Sequence, residues 1–320
     1  MEYRFLGKTG IRVSRLCFGL LTMGPLQASL PLAEGVAVLK YAVEQGVNFF
    51  DTAELYESYS YLRELLRSFP GRELIIATKS YAVTAKEMEK SLEKARRELD
   101  RDYIDIFLLH EQESALTIRG HRAALDYLLE AKEKGLVRAV GISTHRIAGV
   151  RGALEFPEID VIHPLFNIKG LGIHDGTRQE MEDLLTEAAA AAAAGKGIYL
   201  MKALGGGNLL PQAREALEFA FSRPFAAAVA VGMKAPWEVD INVLAAQGLP
   251  IPDQLEKLIS SEKRRLHIDP WCEGCGKCAE RCSQGALFLG DDGKAHVREE
   301  ECLLCGYCAA ACPFFYIKVY

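Results

Sequence analysis

Eight of the nine cysteines lie between residues 272 and 312, in two runs that repeat one spacing. In each run two residues, again two, and then three separate successive cysteines. Three thiolates at this spacing bind three irons of one [4Fe-4S] cluster, and the fourth ligates a second cluster. The spacing therefore predicts two clusters that transfer single electrons. The first is assigned to Cys272, Cys275, Cys278 and Cys312, and the second to Cys302, Cys305, Cys308 and Cys282.

A disulfide framework and a structural zinc ion are the two other uses of so many cysteines. The chain opens with MEYRFLGKTG, which has no apolar segment of the kind that directs export. We therefore expect a reducing, cytoplasmic setting and no disulfides. Zinc ribbons separate two Cys-x-x-Cys pairs by about a dozen residues or more, whereas here further cysteines follow at once. The repeat extends to Gly276 and Gly306, although Ser283 departs from the proline that follows the second run.

The composition leaves room for one large domain and a small one. Of the 320 residues, 49% are hydrophobic and 25% are charged, and the formal net charge is −5. A chain of this kind buries a full core and keeps a polar surface. The mixed charges form no basic stripe for nucleic acid, and no apolar run approaches the length of a membrane span. We therefore expect neither nucleic acid nor a membrane as a partner.

Short aliphatic runs alternate with amphipathic segments up to about residue 250, which is typical of parallel strands covered by helices. Strands are predicted at 15–19, 47–51, 74–79, 104–109, 137–143, 160–166, 197–202 and 227–232. Helices are predicted at 33–45, 84–100 (with a capping box of Thr84 and Glu87), 120–134, 178–194, 211–222, 237–247 and 254–266. Eight strands close a barrel. The fold prediction is α/β, with a (β/α)8 TIM barrel over 1–250, a linker or helix over 251–268, and a small α+β bacterial-ferredoxin-like domain over 269–320.

Four polar residues end or follow successive predicted strands, where a barrel of this kind carries its reactive groups. They are Asp51, Tyr56, Lys79 and His110. Taken singly, Asp51 could cap a helix, Lys79 could pair with a surface acid, and His110 could be a satisfied strand-end histidine. Four such residues at three strand ends and one following turn predict a catalytic site.

The stretch from Gly46 to Tyr56, GVNFFDTAELY, resembles the active-site motif of the aldo-keto reductases. The opening from Tyr3 to Ser14 is similar to that family's N-terminal hairpin, and the resemblance covers roughly residues 1–247. It implies that Tyr56 donates a proton to a carbonyl, that Lys79 and Asp51 pair beside it, and that His110 orients the substrate oxygen. A neighbouring ammonium is expected to favour the ionised form of the phenol.

The same resemblance implies a nicotinamide cofactor and the residues that bind it. Ser143, Thr144 and His163 match the positions that hold the carboxamide, and Met201 stands where many relatives place a ring-stacking tyrosine. The glycine-rich loop from Lys202 to Asn208, with Leu204, Gly205 and Gly206, matches the pyrophosphate loop. Gly232, Met233, Lys234, Glu238 and Asn242 match the adenosine end, and Lys234 favours NADP(H) over NAD(H). Asn167 is expected to help order the site, and Cys17 to be a small core residue.

The cysteine-rich segment replaces the C-terminal loop of ordinary relatives, so the chain resembles the iron-sulfur branch of the family. We expect this domain to dock at the carboxyl end of the barrel. Nicotinamide passes a hydride whereas clusters pass single electrons, so a flavin on the phosphate loop is an alternative cofactor. Three functions stay open. The first is NADP(H)-linked reduction of a small carbonyl compound, or the reverse oxidation of the alcohol. The second is a barrel that uses cluster electrons from a ferredoxin-type partner without dissociable nicotinamide, and the third is a non-catalytic barrel that tethers a ferredoxin.

Overall fold

Eight parallel strands close into a barrel in the computed structural model, which describes residues 1–190, 195–261, 265–304 and 306–319. The strand order around the barrel is β10-β3-β4-β5-β6-β7-β8-β9. These strands are β3 Leu16–Gly19, β4 Phe49–Asp51, β5 Ile75–Ser80, β6 Ile104–Leu109, β7 Val137–Thr144, β8 Val161–Pro164, β9 Gly197–Leu200 and β10 Ala228–Gly232. All eight predicted strands are confirmed, and their ends move by no more than two residues.

Helices cover the outside of the barrel. They are α1 Leu32–Glu44, α2 Tyr59–Ser68, α3 Ala85–Leu99, α4 Ala115–Gly120, α5 Arg122–Glu133, α6 Ile147–Leu154, α7 Arg178–Ala190, α8 Ala213–Phe221, α9 Pro236–Ala246 and α10 Asp253–Ser261. The capping box of Thr84 and Glu87 is confirmed at the start of α3. The sequence analysis missed α2, α4 and α6, and the last four residues of the predicted helix 178–194 lie outside the described residues. None of the described helices is long and apolar enough to cross a membrane.

The predicted helix 254–266 is wrong at its carboxyl end. Helix α10 ends at Ser261, and Leu266 instead begins β11, Leu266–Ile268. This strand pairs antiparallel with β14, Ile317–Val319, so the segment after the helix already belongs to the cysteine-rich part.

A hairpin of β1, Tyr3–Phe5, and β2, Arg12–Ser14, covers the amino end of the barrel. Its apolar side chains join the barrel interior, in which Cys17 is fully buried as expected. Arg15 is also buried, and its guanidinium donates to the carbonyl oxygens of Phe221 and Ala226. These contacts close the amino end, so chemistry is confined to the carboxyl end of the strands.

Strand periodicity decides which side chains face that end. Successive side chains of a strand alternate between the two faces of the sheet. Phe49 belongs to the interior cluster, so Asp51 two residues later faces inward as well. Ala77 and Val161 also belong to the interior cluster, so Lys79 and His163, each two residues later, face inward as well. The inward layer at the carboxyl end is therefore polar.

The cysteine-rich segment folds around a small core of its own. Its elements are β11, α11 Lys277–Arg281, β12 Leu287–Leu289, β13 Ala295–Val297, α12 Tyr307–Ala311 and β14. The sequence repeat is also a backbone repeat, because Gly276 and Gly306 begin α11 and α12 with left-handed φ values of 77° and 80°. Glycine adopts such φ values without steric strain, because it has no Cβ atom.

This segment lies on the carboxyl end of the barrel, as expected. Strand β14 contacts the glycine loop Gly205–Gly207. Phe315, which is 3% exposed, inserts its ring between Gly172 and Gly206. A methyl group on Gly172 would lie 1.5 Å from Cε2 of that ring. The docking therefore depends on a glycine at residue 172.

We predict that Gly172→Ala detaches the cysteine-rich domain from the barrel, because the added carbon and the Phe315 ring cannot share one position. Small-angle scattering and limited proteolysis, with cleavage expected between the two domains, would report the loss. Gly71→Ala is the matched control: Gly71 has a similar φ of 79° against 76° at Gly172, but nothing lies within 4 Å of its added carbon. Both variants lose about 1 kcal/mol to backbone strain. Equal behaviour of the two proteins would contradict the docking contact.

Candidate active site

A buried ion pair occupies the centre of the polar layer. The ammonium of Lys79 donates to Oδ1 of Asp51 at 2.6 Å and to the carbonyl oxygen of Thr52 at 2.7 Å. The hydroxyl of Tyr199 donates to the other carboxylate oxygen, Oδ2 of Asp51, at 2.8 Å. Both charged side chains are at most 7% exposed. Such a pair is fixed in place, since removal of either partner leaves an uncompensated buried charge.

Tyr56 lies beside this pair at the end of a single helical turn, Glu54–Tyr56. Nζ of Lys79 is 5.1 Å from the centre of its ring, and the ring of His110 meets it edge-on with centres 5.9 Å apart. The pKa of Tyr56 is raised well above its usual value, first by burial and then by the charge of Asp51. Burial and the charge of Asp51 therefore outweigh the effect of the neighbouring ammonium, which pairs with Asp51 at 2.6 Å, and the phenol stays protonated in this state.

His110 is held between aromatic rings. Its ring stacks on Tyr81 with centres 4.3 Å apart. Burial, aided by the ammonium of Lys79, lowers its pKa well below the usual value, so the ring is neutral. Its Nδ1 atom is buried and has no hydrogen-bond partner among the described residues. A neutral imidazole offers one donor and one acceptor, and an unpaired buried atom indicates that a ligand completes the site.

His163 is oriented by Tyr199, whose ring stacks on it at 3.8 Å between centres. Nδ1 of His163 lies 2.7 Å from the carbonyl oxygen of Tyr199, which can only accept, so Nδ1 carries the proton. Burial lowers the pKa of His163 to about 4. The free nitrogen, Nε2, is therefore an acceptor at neutral pH, and it lies 3.8 Å from Oδ2 of Asp51.

Tyr199 and Tyr81 are functional candidates that the sequence analysis missed. Tyr199 sits at an inward position of β9 and belongs to the interior cluster with Phe49. The signal was available, because a tyrosine in a buried strand usually needs a partner for its hydroxyl. Tyr81 follows β5 by one residue and donates to Oε2 of Glu111 at 2.7 Å. Its contact with His110 crosses two strand ends and has no sequence signal.

One cavity of about 230 Å³ begins at Asp51 and Tyr56 and runs along the carboxyl ends of β8, β9, β10 and β3. Nine of the residues that were predicted to bind the cofactor line it: His163, Met201, Lys202, Leu204, Gly206, Gly232, Lys234, Glu238 and Asn242. The cavity therefore joins the catalytic residues to the predicted adenosine end.

Four predicted cofactor residues do not line this cavity. The side chain of Thr144 faces the outside of the barrel, where its Oγ1 accepts from the N–H of Arg146. Met233, the residue after β10, packs in the core between the strands and the helices. Ser143 faces inward but its hydroxyl accepts from the N–H of Glu111 at 2.8 Å. Gly205 is buried next to the loop residues that do line the cavity. Nδ2 of Asn167 donates to the carbonyl oxygen of Leu171, and its Oδ1 accepts from the N–H of Leu171. These two hydrogen bonds order the loop after β8.

The far end of the cavity fits a nucleotide. Oδ1 of Asn242 is buried without a partner among the described residues, and its Nδ2 donates to the carbonyl oxygen of Glu238 at 2.8 Å. The carboxylate of Glu238 accepts from the backbone N–H groups of Lys234 and Ala235 and so fixes the loop. Gly206 has a left-handed φ of 64°, which brings backbone close to the cavity.

Lys202 points into the same cavity from the end of β9. The backbone of Lys202 is left-handed, with a φ of 57°, so the chain turns here and the side chain lines the cavity instead of the outer face of the barrel. Nζ lies 4.7 Å from the centre of the Phe315 ring. Burial lowers the pKa of Lys202 to about 8, with a further contribution from Lys318, so the ammonium form predominates at neutral pH.

The cysteines line two separate cavities in the grouping that the spacing predicts. One is lined by Cys272, Cys275, Cys278 and Cys312, and the other by Cys282, Cys302 and Cys308, while Cys305 lies outside the described residues. In the first, the N–H groups of Gly274 and Ala295 donate to Sγ of Cys272. Such donors stabilise a ligating thiolate. The residues present fit two [4Fe-4S] clusters.

Comparisons with known proteins agree with both parts of the chain. A sequence profile described as the aldo/keto reductase family matches residues 15–224, and one described as a 4Fe-4S dicluster domain matches residues 271–315. L-galactose dehydrogenase of Arabidopsis thaliana is 29% identical over 154 residues, which is 45% of this chain and 48% of that protein. An aldo-keto reductase of Glycine max is 30% identical over 175 residues, 50% of this chain and 48% of that protein. The chain thus spans about half the length of these curated relatives.

Solved structures support the same assignment. The crystal structure of a protein from Pseudomonas aeruginosa assigned to the aldo-keto reductases has a TM-score of 0.64 and 28% identity, with coverage of 78% of this chain and 95% of that chain. The holo form of an aldo-keto reductase from Bacillus halodurans has a TM-score of 0.65 at 21% identity, with coverage of 81% and 95%, which supports the fold. The chain belongs to the aldo-keto reductase family of oxidoreductases and carries a 4Fe-4S dicluster domain at residues 271–315.

Proposed function

We propose that the barrel reduces an aldehyde or ketone, or oxidises the alcohol in the reverse direction, with NADP(H) as cofactor and Tyr56 as proton donor. The observation that carries this proposal is the buried pair of Lys79 and Asp51 beside Tyr56 and His110, at one end of a cavity that reaches Asn242. Bound nicotinamide would supply the hydride. The remaining tasks fall to the protein.

Tyr56 suits the role of a proton donor. Its raised pKa keeps the phenol neutral at physiological pH, so the proton is present when a carbonyl binds. Charge that develops on the carbonyl oxygen makes that oxygen the stronger base. The ammonium of Lys79, 5.1 Å from the ring, then stabilises the phenolate that is left. Neutral His110 can donate to the same oxygen and so orient it.

Three parts of the cavity suit the dinucleotide. Nε2 of His163 can accept from the carboxamide, and Oδ1 of Asn242 can accept from the adenine amine. The glycine loop Gly205–Gly207 offers backbone N–H groups to the pyrophosphate. Lys234 lies at the adenosine end, where an ammonium favours a 2′-phosphate. The site therefore fits NADP(H) without requiring Ser143 or Thr144.

The second domain suits an electron-transfer role. When bound, the two clusters would supply single-electron transfer to or from a ferredoxin-type partner. Phe315 and Lys318 follow Cys312 closely in sequence and reach the mouth of the barrel. The sequence predicts limits of 1–250 for the barrel, 251–268 for the connection and 269–320 for the ferredoxin-like domain; we propose that this domain begins at residue 266 instead, because β11 pairs with β14.

A second candidate is a barrel that works with cluster electrons and no dissociable nicotinamide. The observation in its favour is that Thr144 faces outward and that neither Thr144 nor Ser143 lines the cavity, so the carboxamide partners of many relatives are not offered there. An anaerobic optical titration of the reconstituted protein with NADPH separates the two candidates. We expect saturable NADPH binding. Failure to bind at millimolar NADPH would favour the second candidate.

Tyr56→Phe is predicted to lower carbonyl turnover by about 10²- to 10⁴-fold, the usual contribution of a general acid. The ring is retained, so NADPH binding should stay unchanged. Steady-state rates with a panel of aldehydes and a fluorescence titration with NADPH measure the two quantities. Tyr103→Phe, which removes a partly exposed hydroxyl away from the cavity, is the control. Turnover within a factor of two of the wild type would exclude Tyr56 as the donor.

Lys234→Met and Asn242→Ala are predicted to affect the two cofactors differently. Loss of the Lys234 ammonium should weaken NADPH by about tenfold, or ~1.4 kcal/mol, and leave NADH nearly unchanged. Loss of the Asn242 amide should weaken both equally, because the adenine is common to them. Dissociation constants from nicotinamide fluorescence give the comparison. Parallel weakening by Lys234→Met would contradict a contact with the 2′-phosphate.

A further inference from the structure

Two lysines, one from each domain, line the catalytic cavity. Lys202 follows β9 of the barrel, and Lys318 is the middle residue of β14. We propose that Lys202 and Lys318 form an anion subsite for a carboxylate of the substrate, so that the carbonyl compound reduced at Tyr56 is an oxo acid. This inference rests on the proposed carbonyl reduction and narrows its substrate class.

Among the described residues, the ammonium of Lys202 forms no ion pair. Across the described ranges 1–190, 195–261, 265–304 and 306–319, no carboxylate lies within ion-pair distance of it. Its contact is the face of the Phe315 ring, at 4.7 Å. A ring compensates an enclosed ammonium less well than a carboxylate does. A bound anion would remove this deficit.

The second lysine does not supply that compensation but adds to the positive charge. Lys318 is 6% exposed and pairs with Oδ2 of Asp269, whose Oδ1 lies 2.9 Å from Nε2 of His267. One carboxylate therefore serves two partners. Asp269 is paired with Lys318, and the carboxylates of Glu111 and Asp269 act on Lys202 only from beyond ion-pair distance. The ammonium of Lys202 is thus placed at the domain interface to receive one anion.

The position of Lys202 favours the substrate over the phosphates of the cofactor. Burial is the main cause of the low pKa of His110, and the ammonium of Lys202 lowers it further, as it does for His145 and His163. Lys202 therefore acts on the histidines around the catalytic end. Asn242, by contrast, lies at the adenosine end of the cavity. A carboxylate at Lys202 would lie on the same molecule as a carbonyl at Tyr56.

The carbonyl chemistry balances with the cofactor already proposed. The substrate carbonyl would take at carbon the hydride that NADPH supplies, with NADP+ as the other product, and at oxygen the proton of Tyr56, which solvent then restores. The substrate becomes a hydroxy acid. The carboxylate stays ionised throughout and forms no covalent bond. Lys202 and Lys318 are positioning residues in this scheme.

The test compares charged substrates with neutral isosteres. We would use the three carboxybenzaldehyde isomers and the matching formylbenzamides, with the full chain carrying both clusters under anaerobic conditions. Wild-type protein should prefer one carboxylate over its amide by about 10- to 100-fold in kcat/KM, the range of one charge-assisted contact. Lys202→Met should abolish this preference, read within the one variant as the ratio of kcat/KM for the carboxylate to kcat/KM for its amide. Lys169→Met, an exposed lysine on the loop after β8, is the control.

Two further variants keep the result interpretable. Lys202→Gln retains a polar side chain if the methionine variant does not fold, and Lys202→Arg should restore part of the preference. Lys318→Met combined with Asp269→Asn removes one charge of each sign and so avoids a lone buried carboxylate. This pair should lower the carboxylate preference by at least threefold. An unchanged preference in both Lys202→Gln and the double variant would overturn the proposal.

Binding measurements distinguish the subsite from the reductase activity. In the presence of NADP+, isothermal titration with benzoate and benzamide should show that Lys202→Met weakens benzoate alone. If the protein reduces no aldehyde, charged or neutral, the proposed function fails while the benzoate comparison still decides the subsite. If Lys202→Met instead weakens NADPH and leaves the carboxylate preference intact, Lys202 serves a cofactor phosphate and the proposal is wrong.

Discussion

The carboxylate of Asp51 is the contact on which the site depends. One oxygen binds Lys79 and the other binds Tyr199, so three strands of the barrel, β4, β5 and β9, are tied at one level. The arrangement extends to a fourth strand, β8, because the Tyr199 ring stacks on His163 and the Tyr199 carbonyl oxygen fixes the His163 proton on Nδ1. Loss of one member of such a buried pair typically costs about 3–5 kcal/mol. The geometry of the catalytic end is thus determined by packing in the barrel interior.

Much of the fold was predictable because the barrel strands are buried on both faces. Short, mostly apolar runs such as Ile104–Leu109, in which Asp105 is the one polar residue, stand out against the amphipathic helices. Helix α6 was missed because it contains Gly149 and Gly152, which are poor helix formers. The structure shows why they are there: an added carbon on Gly149 would lie 2.1 Å from Oγ1 of Thr144, and one on Gly152 would lie 2.4 Å from Ala115 N. Close packing overrides helix propensity at both positions.

The site was predictable in part. Asp51, Tyr56, Lys79 and His110 lie at strand ends or in the turn that follows, and the structure brings them together. Matching by motif ignores the parity of the strand, which turns Thr144 outward beside Ser143, so its contact with a cofactor stays a prediction. The expectation for Tyr56 considered the ammonium of Lys79 alone, whereas burial and the paired carboxylate of Asp51 decide the protonation of the phenol in the free site. The contacts of Phe315 had no sequence signal at all, because they join residues of two domains.

The docked domain changes what the barrel site can bind. Burial drives Tyr56, His110 and His163 toward their neutral forms, and Lys79 and Asp51 neutralise each other. The inner site is therefore nearly neutral, as a site for an uncharged carbonyl group should be. The charged groups of the mouth include Lys202 from the barrel and Lys318 with Asp269 from the second domain. The mouth is thus suited to recognise the charge of a substrate, and the inner site is suited to position its carbonyl group. Since Phe315 contacts Lys202 and lies three residues after Cys312, the same short segment connects the outer layer to the first cluster site.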